Sequence, residues 1–209
     1  MKIIDQTWEW LQKPVKPLEI LELAGRTCYK SENRITEGSA EKFVKMILDL
    51  GHETVIEHIC ASVRLITNRG VTHELVRHRL ASYSHESTRY VRYKDELQFV
   101  KPVWWSDPGY SEEQKQHWAH AMELGEKLYL EALAKGDRPE QAREMLPHSI
   151  KTEIVMTANL REWRHIFAMR CSKEAHPQMR SLMLDCLKGF AQEIPIVFDR
   201  LAIKYGASD

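Results

Sequence analysis

The residues best suited to chemistry are arginines that are concentrated in one stretch of the chain. Between Cys60 and Arg92 there are six arginines, no lysine and only two acidic residues, Glu74 and Glu86, whereas the whole chain carries equal numbers of acidic and basic residues. A guanidinium binds a phosphate or a carboxylate through two parallel hydrogen bonds, so a cluster built only from arginine favours recognition of an anion of defined geometry. The alternative is a solvated basic surface with internal ion pairs, and composition alone leaves both open.

A second charged residue, Arg170, falls on an apolar helix face. Trp163, Ile166 and Phe167 recur at helical spacing, and Arg170 shares their side of the predicted helix. An unpaired buried charge is costly, so this guanidinium needs a partner. The partner is either an internal carboxylate or a bound anion.

Other common catalytic motifs are missing from the sequence. Three His-Glu dipeptides begin at His52, His73 and His85, but none is followed by the second histidine that a zinc hydrolase requires. The chain also contains no G-x-S-x-G elbow, no P-loop and no G-x-G-x-x-G turn. We therefore expect no metal site.

The four cysteines are isolated from one another and form no C-x-x-C pair; they are Cys28, Cys60, Cys171 and Cys186. We expect reduced thiols that act as small buried hydrophobic residues.

The length and charge of the chain limit its class. A length of 209 residues predicts a single domain. Because acidic and basic side chains are equal in number, the protein has no net charge that would attract nucleic acid. Its apolar runs fall far short of the roughly 20 residues of a membrane helix. We expect a cytoplasmic protein that contacts neither nucleic acid nor a membrane.

The hydrophobic pattern predicts the elements that must position the arginines. In the first half, it indicates two amphipathic helices ending before Gly51, a strand from Ile59 to about Asn68, a helix over Val71–Arg79, a polar loop over residues 82–88 and a short strand at 98–103. In the second half, it indicates a long helix capped by Ser111 and ending at Gly136, a short helix from Asp137 to Leu146, a strand from Ile150, and helices over Leu160–Cys171 and Pro177–Phe190.

The stretch Arg77-His78-Arg79, followed by seven residues and then Ser87, resembles the signature of the flavin-dependent thymidylate synthases. Three further blocks resemble the same family in the same order; they are residues 51–58, Arg143 before Leu146-Pro147, and Thr157-x-Asn159-x-Arg161 with Arg170. The resemblance spans residues 20 to 185.

The resemblance implies an enzyme that makes thymidylate. In that family a methylene group passes from methylenetetrahydrofolate to dUMP and is reduced by a hydride from FAD, which NADPH has reduced. The phosphates of both nucleotides and the carboxylates of the folate then account for the arginines. The family uses no enzyme nucleophile on the uracil, in keeping with the inert settings of the four cysteines.

The resemblance also implies roles for individual residues. Around FAD it places Thr54, Arg77, His78, Arg79, His85, Asn159, Arg161 and His165. For dUMP it implies Glu74, Arg77, His85, Glu86, Ser87, Arg89, Arg143 and Arg170, with the segment from His85 to Arg89 around the phosphate. Arg170 is the expected catalytic residue, because a guanidinium beside the uracil would stabilise negative charge developing at N3 and O2.

Three of these residues also have a structural interpretation. Asn159 fits a helix cap, Thr54 fits the start of a turn, and His165 fits an interface histidine.

The fold implied by the resemblance is α+β, with a central, largely antiparallel sheet flanked by amphipathic helices. One domain over residues 1–209 would assemble as a homotetramer with FAD at subunit junctions. The alternative function is a non-catalytic, arginine-rich module that binds nucleotides or RNA. Its affinity for oligonucleotides would fall steeply with salt, and the neutral overall charge argues against it.

Overall fold

The fold mixes helices with strands, and the computed structural model describes residues 1–94 and 96–208. The strands are β1 (Lys2–Ile4), β2 (Thr7–Gln12), β3 (Cys60–Asn68), β4 (Ala81–His85), β5 (Gln98–Val100) and β6 (Lys151–Asn159). The α-helices are α1 (Pro17–Tyr29), α2 (Ser39–Asp49), α3 (Arg69–Leu75), α4 (Glu112–Ala134), α5 (Pro139–Ala142), α6 (Leu160–Arg170), α7 (Pro177–Glu193) and α8 (Pro195–Tyr205). Short 3₁₀ turns cover Glu32–Arg34, Glu53–His58, Val103–Ser106 and Arg143–Met145. None of the described helices combines the length and apolarity that a membrane crossing requires.

A four-stranded sheet has the order β2-β3-β6-β4. Side-chain pairs give the direction of β3 against β6: Ser62 Oγ lies 2.7 Å from Thr157 Oγ1, and Arg64 Nε donates to Glu153 at 2.9 Å. The number of the partner falls as the residue number rises, so these two strands run antiparallel. Strands β1 and β5 form a separate parallel pair. The expected α+β class is confirmed.

The chain divides into two compact units, and the divisions fall inside strands β2, β3, β4 and β6 and in the turn between Arg77 and His78. Unit 1 comprises Met1–Trp8, Arg64–Arg77 and Tyr83–Val155, and unit 2 comprises Glu9–Val63, His78–Ser82 and Met156–Asp209. The expectation of a single domain that assembles as a homotetramer stays a prediction.

The core of unit 1 forms around the long helix α4. Ser111 caps this helix by accepting from the N–H of Gln114, whose side chain bonds back to the N–H of Ser111. This reciprocal pair was expected from the sequence and satisfies two N–H groups at the start of the helix. The buried cluster contains Leu97, Phe99, Met122, Tyr129, Ala132, Leu133, Ala142 and Ile150.

The core of unit 2 is rich in aromatic side chains. Trp163 and Phe167 of α6 lie with ring centroids 5.5 Å apart, and both contact Phe190 of α7. Trp163 also donates its indole N–H to the carbonyl of Ala61 at 3.2 Å. Burial of these rings and the indole hydrogen bond fix α6 against strand β3, which sets the position of the polar side chains on α6.

Two predicted elements were wrong in type or length. Residues 82–85, expected as part of a polar loop, belong to β4 (Ala81–His85) at the edge of the sheet. Because most of its residues are polar, the sequence shows no alternation of apolar and polar side chains. An edge strand can nevertheless form, since every second side chain can remain in water. Helix α3 ends at Leu75, not at Arg79, because the chain turns over residues 76–80 to enter β4. Arg77, His78 and Arg79 therefore lie in a turn.

Some features were not predicted. Strands β1 and β2 and helix α8 were missed. Strand β1 has only three residues, and most side chains of β1 and β2 are exposed. The expectation that all four cysteines are buried was wrong for Cys28 and Cys60, which are exposed, and right for Cys171 and Cys186. Burial raises the pKa of the Cys171 thiol to about 12, so this thiol is inert.

A test of the packing in unit 1 concerns Gly125 of α4. A Cβ there would lie 2.9 Å from the ring of Pro147 and 3.2 Å from the carbonyl oxygen of Met145. Gly125→Ala gains about 1 kcal/mol of helix propensity but forces apart two rigid groups, which costs about 1–3 kcal/mol. We expect a lower urea midpoint for Gly125→Ala, with Glu123→Ala on the exposed face of α4 unchanged. An increase in the midpoint for Gly125→Ala would contradict this packing.

Candidate active site

Helix α6 carries several predicted site residues and begins at a side-chain cap. Asn159, the last residue of β6, accepts a hydrogen bond from the backbone N–H of Glu162 at 2.8 Å. The bond satisfies one of the N–H groups that the first helical turn leaves unpaired. The structural interpretation of Asn159 as a cap is confirmed. The cap sets the start of α6, and with it the positions of Arg161, His165 and Arg170.

The first turns of α6 line a cleft of about 720 Å³ within unit 2. The cleft is lined by Glu53, Glu57, Leu80, Asn159, Arg161, Glu162, Arg164, His165, Ala168 and Leu201. Three of the residues predicted to surround FAD, Asn159, Arg161 and His165, are thus brought to one place.

The arginines of the cleft are held by carboxylates of the preceding 3₁₀ turn. Arg161 Nη1 lies 2.5 Å from Glu57, and Arg164 Nη2 lies 3.0 Å from Glu53. Arg161 is half exposed, so a ligand can reach it. An anionic ligand would replace these carboxylates as the partner of the guanidinium groups.

A buried imidazole is a partner of Arg170. His78 is 6% exposed, and its Nε2 accepts a hydrogen bond from Arg170 Nε at 2.9 Å. Arginine has no acceptor, so this nitrogen carries no proton. Burial above all, and then the charges of Arg170 and His165, lower the pKa of His78 to about 4. His78 is neutral at neutral pH, with its proton on Nδ1.

The other nitrogen of His78 faces a carboxylate that sequence reasoning missed. Nδ1 of His78 lies 3.7 Å from Glu162 Oε1, and the Glu162 side chain is 7% exposed. Burial raises the pKa of Glu162, and nearby His165 acts in the opposite direction. The sequence did contain a signal, because Glu162 lies four residues before Ile166 and shares its side of the helix.

Three side chains here have the composition of a metal site. The ligand atoms of His78, Glu162 and His165 lie within 4.8 Å of one another. A histidine that binds a metal normally donates its other ring N–H to an acceptor. In His78 the other nitrogen instead accepts from a guanidinium. A metal on Nδ1 would place a ring N–H against the N–H of Arg170, so this geometry disfavours metal binding.

Residues predicted to hold dUMP gather in unit 1 around a turn that follows β4. The backbone N–H groups of Tyr90 and Val91 both donate to the carbonyl of Ser87, and Arg89 N–H donates to Ser87 Oγ. Arg143 Nη1 donates to Thr88 Oγ1 at 3.5 Å. Ser87, Arg89 and Arg143 are therefore presented by one tight turn and the 3₁₀ turn of Arg143–Met145.

Two other residues in this group are engaged inside unit 1. His85 Nε2 lies 3.0 Å from Thr152 Oγ1, and burial, followed by the charge of Arg69, lowers the pKa of His85 to about 4. Neutral His85 offers a phosphate no positive charge. The carboxylate of Glu86 accepts from Tyr93 at 2.5 Å and from Lys151 at 3.3 Å. Both of its oxygens thus have internal partners, which explains its half-buried position without a ligand.

The remaining predicted residues lie on the surface or in turns. Thr54 is exposed in the 3₁₀ turn of Glu53–His58, and Arg77 and Arg79 are exposed in the turn before β4. Glu74 is half-buried near the end of α3, where its carbonyl accepts from the N–H of Arg77. Arg79 precedes Leu80 of the cleft lining, whereas Thr54 and Arg77 do not line this cleft.

The cleft fits part of a dinucleotide cofactor such as FAD. Its volume of about 720 Å³ is that of an ordinary ligand site. Arg161 and Arg164 offer guanidinium groups to phosphates, while Leu80, Ala168 and Leu201 offer apolar surface to a ring. The sequence did not single out Arg164, or the carboxylates of Glu53 and Glu57 that hold the arginines.

Comparison with known proteins identifies the family. The Thy1 family model, described as thymidylate synthase complementing protein, matches residues 10–196. Flavin-dependent thymidylate synthases from Mycobacterium avium (strain 104) and Mycobacterium tuberculosis (strain ATCC 25618 / H37Rv) are 37% and 36% identical, and each alignment covers 86% of this chain and 77% of the relative. The flavin-dependent thymidylate synthase of Mycolicibacterium vanbaalenii is 35% identical over 88% of this chain and 79% of the relative.

A solved structure has the same fold. It is a UMP/dUMP methylase, PolB from Streptomyces cacaoi, bound with 5-Br dUMP, with a TM-score of 0.82 and 20% sequence identity over 99% of each chain. At this identity the likeness concerns the fold alone. The family model and the sequence relatives cover most of the chain, and together they show that it belongs to the Thy1 family along with these flavin-dependent thymidylate synthases.

Proposed function

We propose that this protein makes thymidylate by reductive methylation of dUMP. The carbon donor is methylenetetrahydrofolate, and the hydride comes from FAD that NADPH has reduced. The family assignment supports an enzyme of methyl transfer with a flavin cofactor over a non-catalytic RNA-binding module. The proposed substrate, dUMP, is also consistent with the 5-Br dUMP bound in the solved structure of the same fold.

One observation supports this proposal most directly: a single helix carries both the cofactor cleft and an immobilised guanidinium. Arg161 lines the cleft near the start of α6, and Arg170 is the last residue of the same helix. The nine residue steps from Arg161 to Arg170 correspond to about 13 Å along the axis at the helical rise. His78 fixes Arg170 through a hydrogen bond at 2.9 Å. The ring of His78 also faces Glu162 and His165 of the cleft lining, so the guanidinium is linked to the cleft through His78.

The cofactor would be held by the residues of the cleft. Arg161 and Arg164 would bind its phosphates, and His165 and Asn159 would donate to its polar atoms. When bound, the flavin supplies the hydride that completes the methyl group. Thr54, Arg77 and Arg79 are exposed on this chain, so they are accessible to a flavin shared between subunits of a homotetramer.

The turn at Ser87 would bind the phosphate of dUMP. Ser87 and Arg89 present a hydroxyl and a guanidinium on one turn, and Arg143 reaches Thr88 beside them. Charge-assisted hydrogen bonds from two arginines suit a dianionic phosphate. The proposed dUMP contacts also include Glu74, Arg77, His85 and Glu86. His85 and Glu86 have partners within unit 1, so their main role would be to support the turn.

Arg170 would act on the uracil ring. Attack on the ring places negative charge on its oxygen and nitrogen atoms, and a positive guanidinium held in advance lowers the energy of that charge. Neutral His78 is a suitable support, because it orients the guanidinium without adding or removing charge.

The direct test uses the purified protein after addition of FAD. We expect flavin absorption that bleaches with NADPH without oxygen, and thymidylate formation that requires dUMP, methylenetetrahydrofolate and NADPH together. The products are measured by chromatography and mass spectrometry. Deoxyuridine, which lacks the phosphate, is the control and should be a poor substrate. A colourless protein that FAD cannot reconstitute, or no thymidylate from the full mixture, would falsify the proposal.

The role of Arg170 predicts a loss of turnover without a matching loss of cofactor. For Arg170→Ala we expect kcat to fall about 10²–10³-fold, the usual effect of removing a preorganised charge-stabilising group. The FAD content, measured by absorbance, should stay near that of the unmodified protein. Arg200→Ala, which removes an exposed guanidinium paired with Asp49, is the control and should change neither quantity. Equal losses of flavin and turnover in Arg170→Ala would assign the residue to structure.

The role of Arg143 predicts a change in substrate affinity. Removing one charge-assisted hydrogen bond costs about 1.5–3 kcal/mol, so Arg143→Ala should raise the KM for dUMP roughly 10- to 100-fold. Arg138→Ala is a matched control, because Arg138 is a highly exposed arginine that pairs with Glu140 at 3.2 Å in the preceding turn. Steady-state kinetics with varied dUMP measure the difference. An unchanged KM in Arg143→Ala would remove this residue from the phosphate site.

A further inference from the structure

Three side chains of unit 2 form a chain of contacts that ends at Arg170. Glu162 Oε1 faces Nδ1 of His78 at 3.7 Å, and Nε2 of the same ring accepts from Arg170 Nε at 2.9 Å. Glu162 and Arg170 both lie on α6, eight residues apart. Long side chains on a helix point back towards its N-terminus, so the guanidinium of Arg170 can reach the ring that Glu162 also faces.

The chemistry of the ring makes these two contacts depend on each other. A neutral imidazole carries one proton, and the guanidinium accepts none, so the bond to Arg170 requires the proton on Nδ1. A carboxylate beside Nδ1 favours that tautomer, because it attracts the N–H dipole. With the proton on Nε2, the ring would direct an N–H at the N–H of Arg170 and the bond would be lost.

Glu162 lies in the first turn of α6, where the helix N-terminus favours a negative charge. The Glu162 side chain is 7% exposed, and in the described part of the chain it forms no ion pair with a lysine or an arginine. Burying a carboxylate without such a cation is costly, and an apolar side chain of similar length would be more favourable to stability. The helix N-terminus offsets part of this cost, and the contact with His78 gives the acid a further role.

We infer that Glu162 is a positioning residue, which fixes the Nδ1–H tautomer of His78 and through it holds the guanidinium of Arg170 in place. The role of Arg170 in turnover rests on the proposed function. The contact between Glu162 and His78 does not, and it can be measured separately.

The kinetic test compares two substitutions of Glu162. Glu162→Met keeps the length of the side chain and removes the oxygens that face Nδ1, whereas Glu162→Gln keeps one oxygen there. For Glu162→Met we expect kcat to fall roughly 10- to 100-fold, the effect of a small misplacement of a reacting group. The KM for dUMP should change less than about twofold, and the melting temperature should be no lower in Glu162→Met than in Glu162→Gln, since both variants remove the charge at the helix N-terminus. Glu162→Gln should keep kcat within about threefold of the unmodified protein, since an amide oxygen remains to face Nδ1–H.

The kinetic outcomes separate the two proposals. If the unmodified protein makes no thymidylate, the proposed function fails, and the tautomer of His78 then decides the inference about Glu162. If it is active, an unchanged kcat in Glu162→Met overturns the positioning role. Equal losses of turnover in Glu162→Met and Glu162→Gln, or a melting temperature lower in Glu162→Met than in Glu162→Gln, also overturn it.

The spectroscopic test does not depend on turnover. In protein labelled with ¹⁵N-histidine, a long-range ¹H–¹⁵N spectrum distinguishes the two neutral tautomers, and His78→Gln identifies the signals of His78. We expect the Nδ1–H tautomer in the unmodified protein and in Glu162→Gln, and a shift towards the Nε2–H tautomer in Glu162→Met. His78 in the Nε2–H or the doubly protonated form in the unmodified protein would overturn the inference, and so would an unchanged tautomer in Glu162→Met.

Discussion

The hydrogen bond between Arg170 and His78 constrains the chemistry of the surrounding site. A guanidinium can only donate, so the imidazole that it meets must be unprotonated on the facing nitrogen. Burial strengthens this constraint, because it disfavours a second positive charge on the ring. A neutral histidine next to a permanent cation leaves the positive charge on the guanidinium alone. This is the arrangement that electrostatic catalysis requires, since the charge is in place before the reaction begins.

The fold provides this arrangement through rigid elements. Helix α6 is capped by Asn159 at its start, and its apolar face is held by the indole hydrogen bond of Trp163 and the rings of Phe167 and Phe190. The polar side of the same helix carries the cleft residues, and its last residue, Arg170, is held by His78. An error of one residue in the start of α6 would rotate its side chains by about 100° and disperse the site. The stability of the aromatic core and the function of the polar face therefore depend on the same helix.

The sequence predicted the elements with strong periodicity and missed those whose form depends on neighbours. The cap at Ser111, strand β6 and helix α6 follow from local patterns. Strand β4 did not, because its polar residues form a strand only where β6 supplies hydrogen-bond partners. The resemblance to the family predicted that Asn159, Arg161 and His165 share one site, and the three residues do line one cleft. Glu162, which lines the same cleft, was missed. Its importance comes from a histidine that lies far away in sequence, and no local pattern records that contact.

The carboxylates of Glu53 and Glu57 also influence which molecules can enter the cleft. They neutralise Arg161 and Arg164 in the absence of a ligand, so a weakly charged anion gains little by displacing them. A diphosphate carries enough charge in one rigid group to compete with both. The cleft thus contains its own counter-ions, and these select ligands by charge number. They also lower the positive potential of a surface that would otherwise be strongly basic.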